Sequence, residues 1–199
     1  VPSSLERFNL TTSDIVLIRT NPGRDPSRQA LHESFLQLML LAEAIGVRVI
    51  NRPGNLVRFA SKSSLLMLDS SLRPETIVTT RKSEVYDFVR AATVDCVVKP
   101  LFGSRGHNVL RVASNQDDLH SLLCDNFGNQ PIVAQQFVHA DHPGDRRILV
   151  LDGKILESNG GIAGIERHPA AGDFRGNLHA GGSAHPLSLN DMERHAVSR

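Results

Sequence analysis

Val97-Val98-Lys99-Pro100-Leu101-Phe102-Gly103-Ser104-Arg105-Gly106-His107-Asn108-Val109-Leu110-Arg111-Val112 is the stretch on which the reading of this chain turns. An apolar β-branched run ends in a lysine and a proline, a short glycine loop follows, and a second alternating run picks up after it, which reads as strand, loop, strand. Gly103 and Gly106 bracket Ser104 and Arg105, so the backbone can turn with its amides facing inward. Lys99 adds a positive charge at the end of the first strand, and such a loop can hold phosphate oxygens. The glycine spacing is that of neither the P-loop nor the dinucleotide fingerprint. On these residues alone an ordinary hairpin with an exposed lysine and a phosphate cradle both stay open.

Working outward, 199 residues are enough for one large domain or two small lobes with a real core. Hydrophobic content of 40% and charged content of 22% are ordinary for a globular chain and argue against disorder. Net charge is +1, from 22 basic and 21 acidic residues, so no global field points to nucleic acid or to a membrane surface, and any anion site must be local. The two cysteines, Cys96 and Cys124, fall in a predicted strand and near the end of a predicted helix. They are expected to be reduced, buried thiols without metal-ligand spacing. No apolar run is long enough to span a bilayer and no signal peptide is visible, so the expected location is the cytoplasm.

Upstream, Asp14 introduces the apolar run Ile15 to Ile18, read as a buried strand that ends at Arg19. The loop Thr20 to Pro26 follows, with two prolines and a glycine. Loops at the carboxyl ends of buried strands are where open α/β sheets place ligand groups, so Arg19, Asn21 and Arg24 are candidates for holding a substrate carboxylate, beside the plainer reading of a solvated basic turn. A helix is expected from Ser27 to Ile45, with Leu31, Phe35, Leu38, Met39 and Ala42 inward and Gly46 as its stop. Val47, Val49 and Ile50 then complete a strand, helix, strand unit with a parallel pair. A short helix is expected through Phe59 and another from Lys62 to Leu68, capped by Ser61. Lys62 lies in the first turn, where the helix dipole disfavours a cation, which invites a functional reading beside that of a simple exposed lysine.

Downstream, Thr76 to Thr79 reads as a strand. Arg81 to Ala92 reads as a helix with Val85, Phe88 and Val89 on one face. Asn115 to Cys124 is expected as a helix with Leu119, Leu122 and Leu123 inward, and Pro131 to Val138 as a strand. Ile148 to Leu156 should be a hairpin turning at Asp152-Gly153. The glycine-rich stretch Asn159 to Ser183 carries Arg167, His168, Asp173, Arg175, Asn177 and His179, and is too long for a plain connector. A final helix starts near Leu189.

Six segments in this order resemble the ATP-grasp carboxylate–amine ligases, in the branch of glutathione synthetases and the glutamate ligases that modify a ribosomal protein. They are Val49-Ile50-Asn51-Arg52-Pro53, Arg73-Pro74-Glu75-Thr76, Val98-Lys99-Pro100-Leu101-Phe102-Gly103-Ser104-Arg105-Gly106, Gln135-Gln136-Phe137-Val138, Asp145-Arg146-Arg147, and Gly172-Asp173-Phe174-Arg175-Gly176-Asn177-Leu178-His179 with Gly181-Gly182. The resemblance implies an α/β fold of the ATP-grasp type, two α+β lobes clasping a nucleotide, preceded by part of a parallel-sheet pre-ATP-grasp domain. The implied boundaries are 1–60 for that partial domain, 61–130 for the first lobe and 131–199 for the second.

By the same resemblance, Lys62 and Lys99 contact ATP phosphates, and Gly103, Ser104, Arg105 and Gly106 form a mobile cover over them. Gln135, Gln136, Phe137 and Val138 meet adenine, and Asp145 lies near the ribose. Arg147, Arg167, Arg175 and Asn177 face the reacting centre. The implied chemistry is attack of a carboxylate on the γ-phosphate, formation of an acylphosphate, and capture of its carbonyl by an amine, with release of ADP and phosphate. Every species there is densely negative, and guanidinium forks hold carboxylate and phosphate bidentately.

Two departures from the family pattern shape the expectation. Family members carry an Asp and a Glu-x-Asn set for Mg2+ (or Mn2+) beyond the position of Arg199, and a first strand and helix before this chain's start, so no metal ligand is assigned here and a fragment is expected. Ser183 stands where glutathione synthetases tend to carry an arginine, which makes the wording of Gly172 to His179 closer to the glutamate ligases. Expected partners are an amino acid, a peptide or a protein C-terminus, together with further copies of the chain as a homo-oligomer. The alternative is a nucleotide-binding scaffold without ligase turnover.

Overall fold

A computed structural model of the chain describes residues 8–20, 26–103, 106–139, 144–158 and 161–197. It divides into two compact units, Val1–Met67 with Leu101–Ser104, and Leu68–Pro100 with Arg105–Arg199.

In the first unit, β1 (Ile15–Leu17) leads through α1 (Gln29–Ala44) to β2 (Arg48–Ile50), which lies parallel to β1 with Val16 opposite Val49. This is the crossover unit expected from the sequence. Ile18, Val47 and Val49 pack on Leu36, Met39 and Ala42. A sheet covered on one side buries only alternate residues. Ile15 and Leu17 are therefore each 60% exposed, and the run is not buried throughout as its composition suggested. Leu31 and Leu38, expected inward, are also exposed. Leu38 points about 100° from Met39, the middle of the stripe that Leu36, Met39 and Ala42 set, while Leu31 is on the side of Ala42 but in the first turn of the helix. After α2 (Pro53–Arg58), which starts on a proline at a position that needs no amide donor, Lys62–Met67 forms a 3-10 helix rather than the α-helix expected there.

The second unit contains a four-stranded antiparallel sheet in the order β3 (Thr76–Thr79), β6 (Ile132–Gln136), β4 (Cys96–Pro100), β5 (Leu110–Val112). Its helices are α3 (Lys82–Ala91) and α4 (Leu119–Phe127). Val85, Val89, Leu119, Leu123 and Phe127 from the helices close over Cys96, Val98, Val112, Ile132 and Ala134 from the strands, all at most 2% exposed. At roughly 25 cal/mol per Å² of apolar surface, this is the main stabilising contact of the unit. Strand alternation then sends Thr76, Gln135, Val97 and Arg111, which lie side by side in register, to the opposite face, with Lys99 two residues beyond Val97. The strand expected to open the second lobe, Ile132–Gln136, lies between β3 and β4 inside this sheet.

β7 (Asp145–Ile148) leads to the hairpin of β8 (Val150–Leu151) and β9 (Lys154–Ile155). Asp152 and Gly153 both turn through positive φ, at 50° and 73°, as the favoured two-residue hairpin turn requires. β10 (Glu157–Ser158) and β11 (Gly161–Ile162) pair next. β12 (Gly164–His168) then pairs with β7 on one side and β13 (Ser183–Pro186) on the other, and α5 (Asp191–Val197) follows. Cys96 and Cys124 are both free thiols, but only Cys96 is buried, and burial pushes its thiol up. Among the described residues no helix is long and apolar enough to cross a membrane.

Candidate functional site

Lys99 is placed by β4 on the helix-free face of the four-stranded sheet. Its Nζ donates to Gln135 Oε1 at 2.9 Å, and Gln135 Nε2 donates to Thr76 Oγ1 at 2.9 Å. Thr76 Oγ1 donates in turn to the Pro74 carbonyl at 2.7 Å. Gln135 and Thr76 are each only 9% exposed. A buried amide must satisfy both its ends, so Gln135 can settle its oxygen only on a donor, and Lys99 supplies one. The result is an ammonium held in a defined place on the face of the sheet that carries no helix.

Lys62 belongs to the first unit. Its Nζ donates to the carbonyls of Gly103 at 3.1 Å and Leu101 at 3.5 Å, and its backbone amide donates to Leu101 O at 3.1 Å. Burial pulls its ammonium below the ordinary lysine range, the cost of a half-buried cation. An anion there would relieve that cost. Arg19, on the same unit, is exposed at the end of β1. Asn21, Arg24, Ser104 and Arg105 lie outside the described residues.

Asp145, Arg147 and Arg167 come together through strand pairing, since Asp145 is directly opposite Arg167 and Arg147 opposite Ile165. Arg167 Nη2 lies 2.7 Å from the Asp145 carboxylate, and Arg147 Nε lies 3.6 Å from it. Asp145 thus already holds two guanidinium groups. Arg175 is fixed by its own loop: Nε and Nη2 donate to Asp173 at 3.0 and 2.8 Å, and Nη1 donates to the Gly106 carbonyl at 3.1 Å. The Arg175 side-chain and backbone donors hold the Asp173 carboxyl down to about 2. Gly106, at φ 76°, sits so close to Asn177 that a Cβ would overlap its side-chain amide. A Cβ on Gly176 would likewise meet the Asp145 carboxylate. The missing side chains of these two glycines therefore let Arg175 and Asn177 gather against Gly106, and Asp145 against Gly176. His168, which has no evident partner in sequence, donates from Nε2 to the Glu166 carboxylate at 2.8 Å and lies tilted on His185 at 4.5 Å between centroids. His179 is exposed and takes no comparable place.

The segment leaving β6 is tied at both sides. The Gln136 amide donates to Glu75 O at 3.0 Å, its side chain donates to the Glu75 carboxylate at 2.9 Å, and the Phe137 amide donates to Asp95 O at 2.7 Å. An acceptor atom meeting this segment's backbone therefore has to find its donor from Val138 onward, where the side chain is 61% exposed. Sequence reasoning missed Thr76 as the partner of Gln135, and it missed Asp95 and Arg111 altogether. The cue for Arg111 was available in the alternation of Leu110-Arg111-Val112, which puts Arg111 on the face of Lys99. Among the described residues, no three His, Cys, Asp or Glu side chains gather as a metal site.

The family model for the ATP-grasp domain of prokaryotic glutathione synthetase matches residues 64–199. The chain belongs to this family. Among its relatives, the glutathione synthetase of Parasynechococcus marenigrum (strain WH8102) is 35% identical over 95% of this chain and 58% of its own length. The glutathione synthetase of Prochlorococcus marinus (strain MIT 9313) is 37% identical over 85% of this chain and 53% of its own length. The chain thus spans little more than half of these relatives. Among solved structures, D-cycloserine synthetase DcsG superposes with a TM-score of 0.64 over 97% of this chain and 67% of its own, at 18% identity. The ATP-grasp ligase PsnB, in a complex with a precursor variant, Mg and ADP, does so with a TM-score of 0.58 over 92% of this chain and 60% of its own. These establish the ATP-grasp fold. The matched family is that of the glutathione synthetases, although the wording of Gly172 to His179 leaned toward the glutamate ligases.

Proposed function

We propose that this chain carries the nucleotide site and much of the reacting centre of an ATP-dependent, glutathione-synthetase-like ligase. The reaction joins a carboxylate to an amine through an acylphosphate and releases ADP and phosphate. The observation that carries this reading is Lys99, held at 2.9 Å by a buried glutamine on the open face of the sheet. An ammonium so fixed costs nothing to reorganise when a phosphate arrives, which is what phosphoryl transfer asks of its surroundings.

Lys99 and Lys62 take the phosphates, under a cover formed by Gly103 to Gly106. Gln135 to Val138 take the adenine, and Asp145 stands at the ribose. Arg147, Arg167, Arg175 and Asn177 hold the carboxylate, the transferring phosphoryl group and the acylphosphate. Arg19, Asn21 and Arg24 hold the substrate carboxylate. Two lobes follow a partial domain at 1–60, the first of them including β6, and ATP is used as its Mg2+ or Mn2+ complex. The acceptor is an amino acid or small peptide, in keeping with the relatives named glutathione synthetase. The protein works in the cytoplasm as a homo-oligomer, a location with which its two free thiols agree.

The test is to incubate the full-length protein with ATP, Mg2+ and pools of amino acids and γ-glutamyl peptides. ADP and phosphate should appear only when both a carboxylate and an amine are present. Release of AMP and pyrophosphate would overturn the reading. Saturable ATP binding without amine-dependent ADP release would make the protein a nucleotide-binding scaffold instead.

A further inference from the structure

Arg111 has no part in the proposed chemistry, yet it occupies the centre of a line of contacts within the second unit. Its Nε donates to Asp95 Oδ2 at 2.7 Å, and its guanidinium carbon lies 4.0 Å from the centroid of the Phe137 ring. Asp95 is also the residue whose carbonyl receives the Phe137 amide. One acidic residue thus fixes both the backbone of Phe137 and the cation that covers its ring. A guanidinium over an aromatic face is held by the ring quadrupole, and the carboxylate behind it sets the plane in which it lies.

The Phe137 ring meets Phe174 at 6.2 Å between centroids and 74° between planes, the edge-to-face arrangement that aromatic pairs prefer. Phe174 is the only large apolar residue between Pro169 and Leu178, in a run otherwise made of Ala, Gly, Asp, Arg and Asn. Such a run has little else with which to dock by apolar contact. The next residue is Arg175, which reaches back to the Gly106 carbonyl, and the turn it belongs to also holds Asn177 against Gly106. The contacts therefore continue from Asp95 through Arg111, Phe137 and Phe174 to the loop that carries Arg175 and Asn177.

We propose that Arg111 and Phe174 are positioning residues. Arg111 holds the Phe137 ring, the ring holds Phe174, and the segment that takes the base and the loop that takes the reacting groups are thereby set together. This rests on the ligase reading above. It makes a directional statement: loss of Phe174 frees the loop while the base segment stays tied to Asp95 and Glu75, whereas loss of Arg111 frees the ring and disturbs both.

The test uses the full-length protein with Phe174→Leu, Phe174→Tyr, Arg111→Ala, Arg111→Lys and the Phe174→Leu/Arg111→Ala pair. Steady-state kinetics are read beside hydrogen exchange of the 173–177 amides with and without ADP. Phe174→Leu should lower kcat by roughly ten- to a hundredfold, as misplaced catalytic groups do, with KM for ATP nearly unchanged. Phe174→Tyr should restore most of the rate, and Arg111→Ala should lower kcat and raise KM for ATP together, with partial rescue by Arg111→Lys. The paired variant should be little worse in kcat than Arg111→Ala, because contacts acting through one ring do not add. ADP should slow exchange at 173–177 in the parent and in Phe174→Tyr, but not in Phe174→Leu or Arg111→Ala. Parent-like kcat and protection in Phe174→Leu, or additive effects in the pair, would overturn the inference while leaving the ligase reading intact. A parent protein that neither binds ADP nor turns over ATP would remove both.

Discussion

The two larger sheets of the second unit are built on opposite principles. The sheet of β3, β6, β4 and β5 is sealed on one face by α3 and α4, with core side chains such as Leu119, Leu123 and Ile132 at 0% exposure. The sheet of β7, β12 and β13 has no buried residue in any of its strands. It is zipped by opposed charges on both faces: Asp145 with Arg167 and Arg147 on one, and Arg146 with Glu166 and Glu193 on the other. Hydrophobic burial makes a platform whose geometry is indifferent to ligand, and Lys99 with Gln135 stands on it. Ion pairs in partly exposed strands are weaker, sensitive to salt and open to competition from an anionic ligand. In the proposed ligase Lys99 and Gln135 therefore ride on the rigid sheet, and Arg147 and Arg167 on the adjustable one.

The largest test of that contrast is Leu123→Ala, which removes a fully buried side chain from the sealed sheet. It should cost about 3 kcal/mol of stability in denaturant unfolding, with little dependence on salt. A loss below about 1 kcal/mol would mean that the helix layer is not what holds the platform. Next, Lys99→Ala should weaken ATP binding roughly 30-fold by titration calorimetry, the worth of one charge-assisted contact to phosphate. Gln135→Leu should do less, since it leaves the ammonium present and removes only its glutamine partner. Equal binding by the parent and Lys99→Ala would remove Lys99 from the nucleotide site.

A smaller effect is expected on the charged sheet. Arg146→Ala removes the guanidinium that Glu166 and Glu193 share and should cost about 1 kcal/mol, and the difference from the parent should shrink in high salt. A salt-independent loss would mean that packing, not charge, holds β7 to β12. The smallest concerns acid. The Asp173 carboxyl, held at about 2 against an ordinary 3.8, contributes fully above the ordinary value, and its contribution disappears as pH falls through 2. Slowed exchange at the Arg175 amide, which donates to Asp173, should accordingly persist at pH 3 in the parent and be lost in Asp173→Asn. Loss in the parent already at pH 4 would contradict the Asp173–Arg175 lock.

Much of this was legible in advance because it is local. Crossover pairing of β1 and β2 follows from apolar runs flanking a helical period, and the Asp152-Gly153 turn follows from the backbone angles those residues tolerate. Candidate anion holders could be named from residue type at strand ends. What failed also failed for local reasons: Leu38 shares the composition of core residues but lies off the centre of the helical stripe, and Leu31 falls in the first turn of α1.

By itself, then, the amino-acid sequence determined the order of elements and the set of cations available to bind an anion, since backbone preference and side-chain period are properties of neighbouring residues. Tertiary structure alone decided which of them meet. Gln135 reaches Lys99 across 36 residues and Thr76 across 59, and Arg111 comes to lie on Phe137. Those meetings depend on strand register, and register is set by how the whole sheet buries its apolar face rather than by any stretch within it.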